Sequence, residues 1–171
     1  MKYWYDTEFY EDGQRINLIS IGIVAEDGRE LYAENADFGW DIVPPDHWIR
    51  ENVRPHLQGI AAQYIKSDIA KYVKEFICNN PNDWSPNQLY GYYSAYDHVV
   101  LAQLFGRMVD MPKGMPWFTF DLKQMIESDP HRLGNASDAV KQDGTEHHAL
   151  EDARWNKKLY EYIIERKQGI Y

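Results

Sequence analysis

Two acids, Asp6 and Glu8, stand two residues apart in the stretch Trp4-Tyr5-Asp6-Thr7-Glu8-Phe9. The stretch is aromatic and β-branched and is followed by Asp12-Gly13, the pattern of a strand closed by a turn. Side chains alternate along a strand, so both carboxylates face one way, with Cα atoms about 6–7 Å apart. Like charges held so close on an apolar strand repel each other. A multivalent cation between them removes the repulsion, and carboxylate oxygens suit hard cations such as Mg²⁺. A polar strand end in solvent would use the same two acids, so chemistry needs further ligands from elsewhere in the chain.

Two later stretches offer them. Asp97 lies in Ser94-Ala95-Tyr96-Asp97-His98, where a strand turns into a helix; a helix cap would use Asp97 equally well. The second stretch, Glu146-His147-His148-Ala149-Leu150-Glu151-Asp152, opens the last helix. His148 and Asp152 are four apart and share a helix face. His147 and Asp152 are five apart, about 140° around a helix. His147 therefore reaches the same place only from the turn before the helix, a position suited to a base that must approach a substrate. Solvated polar groups at a capped helix start are the competing account.

The elements that must carry these residues follow from the apolar pattern. Residues 17–24 form a near-continuous apolar run, as in a strand covered on both faces. Residues 30–34 form a third strand after a second Asp-Gly turn, so the chain opens as a three-stranded meander with the first strand in the sheet interior. Asp46 is expected to cap a short helix over 47–53, and Ser67 to cap the next helix, with Ile69, Val73, Phe76 and Ile77 buried and residues 79–82 ending it. Residues 88–93 and 117–120 are further strands, and 99–108, 121–127 and 148–167 further helices. Ala149, Leu150, Ala153, Leu159 or Tyr160, and Ile163 form the last helix's buried face. Residues 128–145 read as a mobile loop. The expected fold is α/β: a mixed sheet of about five strands flanked by helices.

The 171 residues fit one domain, 1–171, with 44% hydrophobic residues to build its core. The single cysteine excludes an internal disulfide and leaves a zinc-ribbon site unsupported. No apolar run approaches the ~20 residues of a membrane span. Residues 1–25 read as folded strands, so no signal peptide is expected and a cytoplasmic location is. A net charge of −9 argues against a basic nucleic-acid coat protein, though not against an enzyme gripping a few nucleotides through metal ions.

Asp6-x-Glu8, then Asp97, then His147 and Asp152 with four residues between them resemble the DEDDh 3′-5′ exonucleases in order and spacing. Tyr5-Asp6-Thr7-Glu8-Phe9, Leu18-Ile19-Ser20-Ile21-Gly22, the stretch from Val24 to Glu30, Ala95-Tyr96-Asp97-His98-Val99, and His148-Ala149-Leu150 with Asp152-Ala153-Arg154 are similar to the polyadenylate-specific branch of that family, the ribonuclease AS type. The likeness runs over about residues 1–160 and is thin at 36–60 and 128–145. It implies a ribonuclease-H-like fold and removal of nucleotides from single-stranded RNA 3′ ends with two Mg²⁺ ions, Mn²⁺ substituting. Asp6, Glu8, Asp97 and Asp152 would hold metal and His147 would take a proton from water. Glu8, Phe9 and Tyr96 would contact substrate, Glu8 through a 2′-hydroxyl and the rings by stacking. A homodimer is also implied. A DNA exonuclease and a scaffolding module that kept only the fold are the alternatives; the intact set of five polar residues argues against the second.

Overall fold

The computed structural model describes residues 1–79 and 86–169. Strand β1 (Lys2–Glu11), β2 (Ile16–Ala25) and β3 (Glu30–Asn35) form the expected meander, and every residue of β2 from Leu18 to Ala25 is buried. After a short helix α1 (Trp48–Asn52), a two-residue strand β4 (Gln63–Tyr64) pairs in parallel with the end of β3. Helix α2 (Lys66–Cys78), β5 (Gln88–Gly91), α3 (Ala95–Phe105), β6 (Thr119–Asp121) and α4 (Leu122–Glu127) follow. The chain then forms α5 (Pro130–Leu133), α6 (Ala136–Ala139) and the long α7 (Ala149–Gln168), ended by Gly169 in the left-handed conformation.

The sheet is mixed and six-stranded, in the order β4-β3-β2-β1-β5-β6, which places β1 in its interior. Period-two alternation splits β1 between two cores. Tyr3 and Tyr5 face α2 and α3 and pack with Ile69, Val73 and Leu101. Trp4 faces α7 and packs with Tyr90, Leu159 and Ile163. Asp6 and Glu8 are in phase with Trp4, so the carboxylates lie on the α7 face.

Several expectations need correction. The sheet has six strands rather than about five, because β4 is too short to leave a period in the sequence. His47, not Asp46, caps α1, its Nδ1 accepting from the Ile49 N–H at 3.3 Å. Ser67 lies inside α2, whose N-cap position is Ile65. Helix α3 begins at Ala95, four residues early. The supposed loop 128–145 holds α5 and α6, which bury Leu133 and Ala136. Residues 80–82, read as part of a helix stop, lie outside the described residues.

One glycine sets how close the two ends of the chain come. A Cβ on Gly22 would lie 2.3 Å from the Leu150 nitrogen and 2.4 Å from the Ala149 carbonyl. Gly22 is the cross-strand partner of Asp6. The first turn of α7 thus rests directly on β2, beside the strand that carries the acids.

Candidate active site

The site forms where the sheet splits. Strand β1 pairs with β5 only through Lys2↔Gln88, Tyr3↔Leu89 and Trp4↔Tyr90. Past that point the backbone groups of β1 facing β5 need other partners. The Tyr5 carbonyl accepts from Asn156 Nδ2 at 3.0 Å, and the Thr7 N–H donates to Asp97 Oδ1 at 2.9 Å. Side chains from α7 and α3 therefore stand in for the missing strand. Such splits at strand ends are where open α/β sheets bind ligands.

The first turn of α7 brings Asp152 to Glu8. Ligand atoms of Glu8, His147 and Asp152 lie within 4.8 Å of one another. Asp6 and Asp97 stand outside this tight group, but Asp6 feels the charges of Asp97, Glu8 and Asp152. All four carboxyls are harder to ionise than usual. Burial is the first cause in each case. Glu8 is pushed up to about 8, with the charges of Asp152 and Asp97 adding to burial. Asp97 rises to about 6 despite accepting from Thr7. Asp6 is raised well above the carboxylate range, and Asp152 is raised although Gln142 and His147 donate to it. Four acids so placed cannot all carry charge without a counter-cation.

The donor set fits a hard divalent cation: carboxylate oxygens dominate, with one imidazole at the rim. A cavity of about 570 Å³ opens beside Asp6 and Asp152, walled by Tyr92, Gln142, His147 and Asn156. Asn156 is 1% exposed, and its Oδ1 is buried without a hydrogen-bond partner in this wall. An orphaned acceptor among acids is what a bound, hydrated cation would satisfy.

The two adjacent histidines part company. His147 has φ +64°, uncommon for a residue with a side chain. This turn directs its N–H to Asp152 Oδ2 at 3.1 Å and sets its ring edge-on to Trp48, centroids 4.6 Å apart. His148 occupies the N-cap position of α7 and stacks on Tyr32 at 4.4 Å. The helix-borne His148–Asp152 pair is therefore not formed, and His147 is the histidine that joins the acids.

Phe9 and Tyr96 are also brought together, their rings stacked with centroids 5.8 Å apart and 12° between planes. A register shift between Glu8 and Phe9 breaks the regular ladder there. Phe9 nevertheless packs against the core that holds Tyr3 and Tyr5, while Tyr96 is half exposed. The sequence did not single out Thr7, Trp48, Gln142 or Asn156. Asn156 had a signal, four residues after Asp152 on one helix face. Trp48 and Gln142 arrive through tertiary packing and had none.

The sequence model of the Rv2179c-like 3′-5′ exoribonuclease domain matches residues 1–164. The chain belongs to that family. Two relatives agree: the 3′-5′ exoribonucleases MT2234.1 and Rv2179c, from two strains of Mycobacterium tuberculosis, are each 44% identical over 129 residues, covering 74% of this chain and 74% of their own length. Among solved structures, S. pombe Pop2p in its Mg²⁺- and Mn²⁺-bound form superposes with a TM-score of 0.61. At 14% identity, over 99% of this chain and 84% of that one, the likeness to Pop2p is one of fold. The exoribonuclease family member described here thus has a ribonuclease-H-like mixed sheet, as the motifs led one to expect. No described helix is long and apolar enough to cross a membrane.

Proposed function

We propose that this chain, acting as a single domain over residues 1–171, removes nucleotides one at a time from the 3′ end of single-stranded RNA, with a preference for polyadenylate tails. The observation that carries the reading is the meeting of Glu8, Asp152 and His147 within 4.8 Å, beside Asp6 and Asp97. Asp6, Glu8, Asp97 and Asp152 would hold two Mg²⁺ ions, or Mn²⁺ in their place. Bound divalent ions supply positive charge to the phosphodiester and acidify water. His147, on its turn at the cavity mouth, takes a proton from the attacking water at a ring nitrogen. The water oxygen bonds to phosphorus, the P–O3′ bond breaks, and the shortened RNA leaves with its 3′-hydroxyl restored. The other product is a nucleoside 5′-monophosphate.

Glu8 accepts the 2′-hydroxyl of the terminal ribose in this reading, which separates RNA from DNA. Tyr96, backed by Phe9, offers an exposed ring for a base; stacking alone tolerates every base. The adenylate preference and a homodimer rest on the resemblance to the polyadenylate-specific branch, and a cytoplasmic setting on the single cysteine and the strand-like residues 1–25. Equal-length oligonucleotides test the reading: A, U, C and G homopolymer 3′ tails and a deoxyadenylate tail, each with Mg²⁺. The riboadenylate tail should shorten fastest and the deoxyadenylate tail slowest. Equal rates on RNA and DNA would remove the 2′-hydroxyl role of Glu8. Equal rates across the four RNA tails would leave a general exoribonuclease, and no cleavage of any substrate would favour a scaffold.

A further inference from the structure

Thr7 lies between the two acids of β1 but faces the other way, towards α3. It donates to Asp97 twice, and to the same oxygen. The Thr7 N–H reaches Oδ1 at 2.9 Å and the hydroxyl reaches Oδ1 at 2.6 Å. Both side chains are buried, Thr7 at 4% and Asp97 at 6% exposure. A carboxylate oxygen carries two lone-pair sites, so two donors occupy Oδ1 fully. The base of Asp97 is fixed as well. It stands in the first turn of α3, and the N–H of Ser94, at that helix's N-cap, donates to Asp121 Oδ2 at 2.9 Å. Asp97 is thus tied to β1 through Oδ1 and, through its helix, to the end of β6.

We infer that Thr7 is a positioning residue that aims Asp97 at metal through its other oxygen. Oδ2 takes up a cation or a water on that cation. The hydroxyl thus sets how tightly one of the two cations is held. The inference rests on the metal-assisted reading above, and its test separates the two.

Mn²⁺ binding is followed by electron paramagnetic resonance of the whole protein without RNA, for wild type, Thr7→Val, Thr7→Ser and Asp97→Asn. Thr7→Val keeps the shape and the N–H bond but deletes the hydroxyl; Thr7→Ala replaces it if the valine variant does not fold. Asp97→Asn should weaken one Mn²⁺ site, and Thr7→Val should weaken the same site by about ten-fold. Thr7→Ser should restore it to within about two-fold. The unfolding temperature of the metal-free protein separates a merely structural Thr7, which would lower it and leave Mn²⁺ affinity unchanged. That outcome, with Asp97→Asn still weakening the site, overturns the role of Thr7 alone. Unaltered Mn²⁺ binding in Asp97→Asn overturns Asp97 as a ligand and the inference with it.

Discussion

The two sides of the cavity are built differently. Asp6 and Glu8 sit on an interior strand with helices packed on both faces, and Asp97 is locked to that strand by Thr7. His147 sits across from them on a left-handed turn, after the exposed run from Asp143 to Glu146. An exposed ion pair of Asp143 with Lys158 ties that run, and the preceding Gln142 donates to Asp152. Groups that must hold charge against repulsion are set where the backbone cannot yield. The group proposed to pass a proton is set on a segment with fewer ties, where a small movement costs little.

The sharpest test is to remove one carboxylate, from β1 or from the first turn of α7. Asp6→Asn and Asp152→Asn should each lower turnover by about 10²-fold or more, with circular dichroism unchanged. Each should also raise the unfolding temperature of the metal-free protein, because each removes a carboxyl whose ionisation burial opposes. A variant with near wild-type turnover would take its residue out of the site.

Next comes the histidine pair. His147→Ala should cost about 10²-fold in turnover while Mn²⁺ binding survives, since a lost base slows proton transfer and leaves the carboxylates in place. His148→Ala should change turnover by no more than a few-fold and lower stability through its lost stacking on Tyr32. The reverse pattern would move the proton transfer onto α7.

The smallest effect concerns pH. In the folded protein Glu8 is raised from about 4.5 to about 8, and Asp97 from 3.8 to about 6. The metal-free fold holds these protons more tightly than the unfolded chain does. The stability that these two acids contribute should therefore be fully present below about pH 4 and be lost as pH rises to about 8. Calorimetry without metal should show that decline, at roughly 2–4 °C per kcal/mol lost for a chain of this size. Millimolar Mg²⁺ should reverse most of it at pH 8. A metal-free melting temperature that climbs from pH 5 to pH 8 would show that the acids already have partners.

Much of this division could be read in the sequence, for physical reasons that differ between its halves. Two-residue alternation put Asp6 and Glu8 on one face, and β1 is regular as far as Glu8. Helical geometry barred His147 from the helix and required a turn before it. Histidine tolerates a left-handed turn better than most residues do, yet nothing in the sequence required one at His147. Pro130 and Asn135 read as breakers, yet they open α5 and α6, because proline is tolerated in a first helical turn and asparagine favours the position before it. Trp48 reaches His147 only because Tyr10, Ile19, Val43, Ile49 and Val53 form a small core beneath α1. Such a core is visible only once the chain is folded.

The bond between Asn156 and Tyr5 joins positions 151 residues apart. At about 5–20 residues per second a ribosome needs roughly 8–30 s to travel that distance. Throughout that interval the nascent chain carries Asp6 and Glu8 without Asp152, and the floor of the site is laid long before its wall. On the proposed reading, the nascent enzyme stands beside its own messenger without the groups to cut it. A chain arrested before α7 should bind Mn²⁺ weakly and leave single-stranded RNA intact.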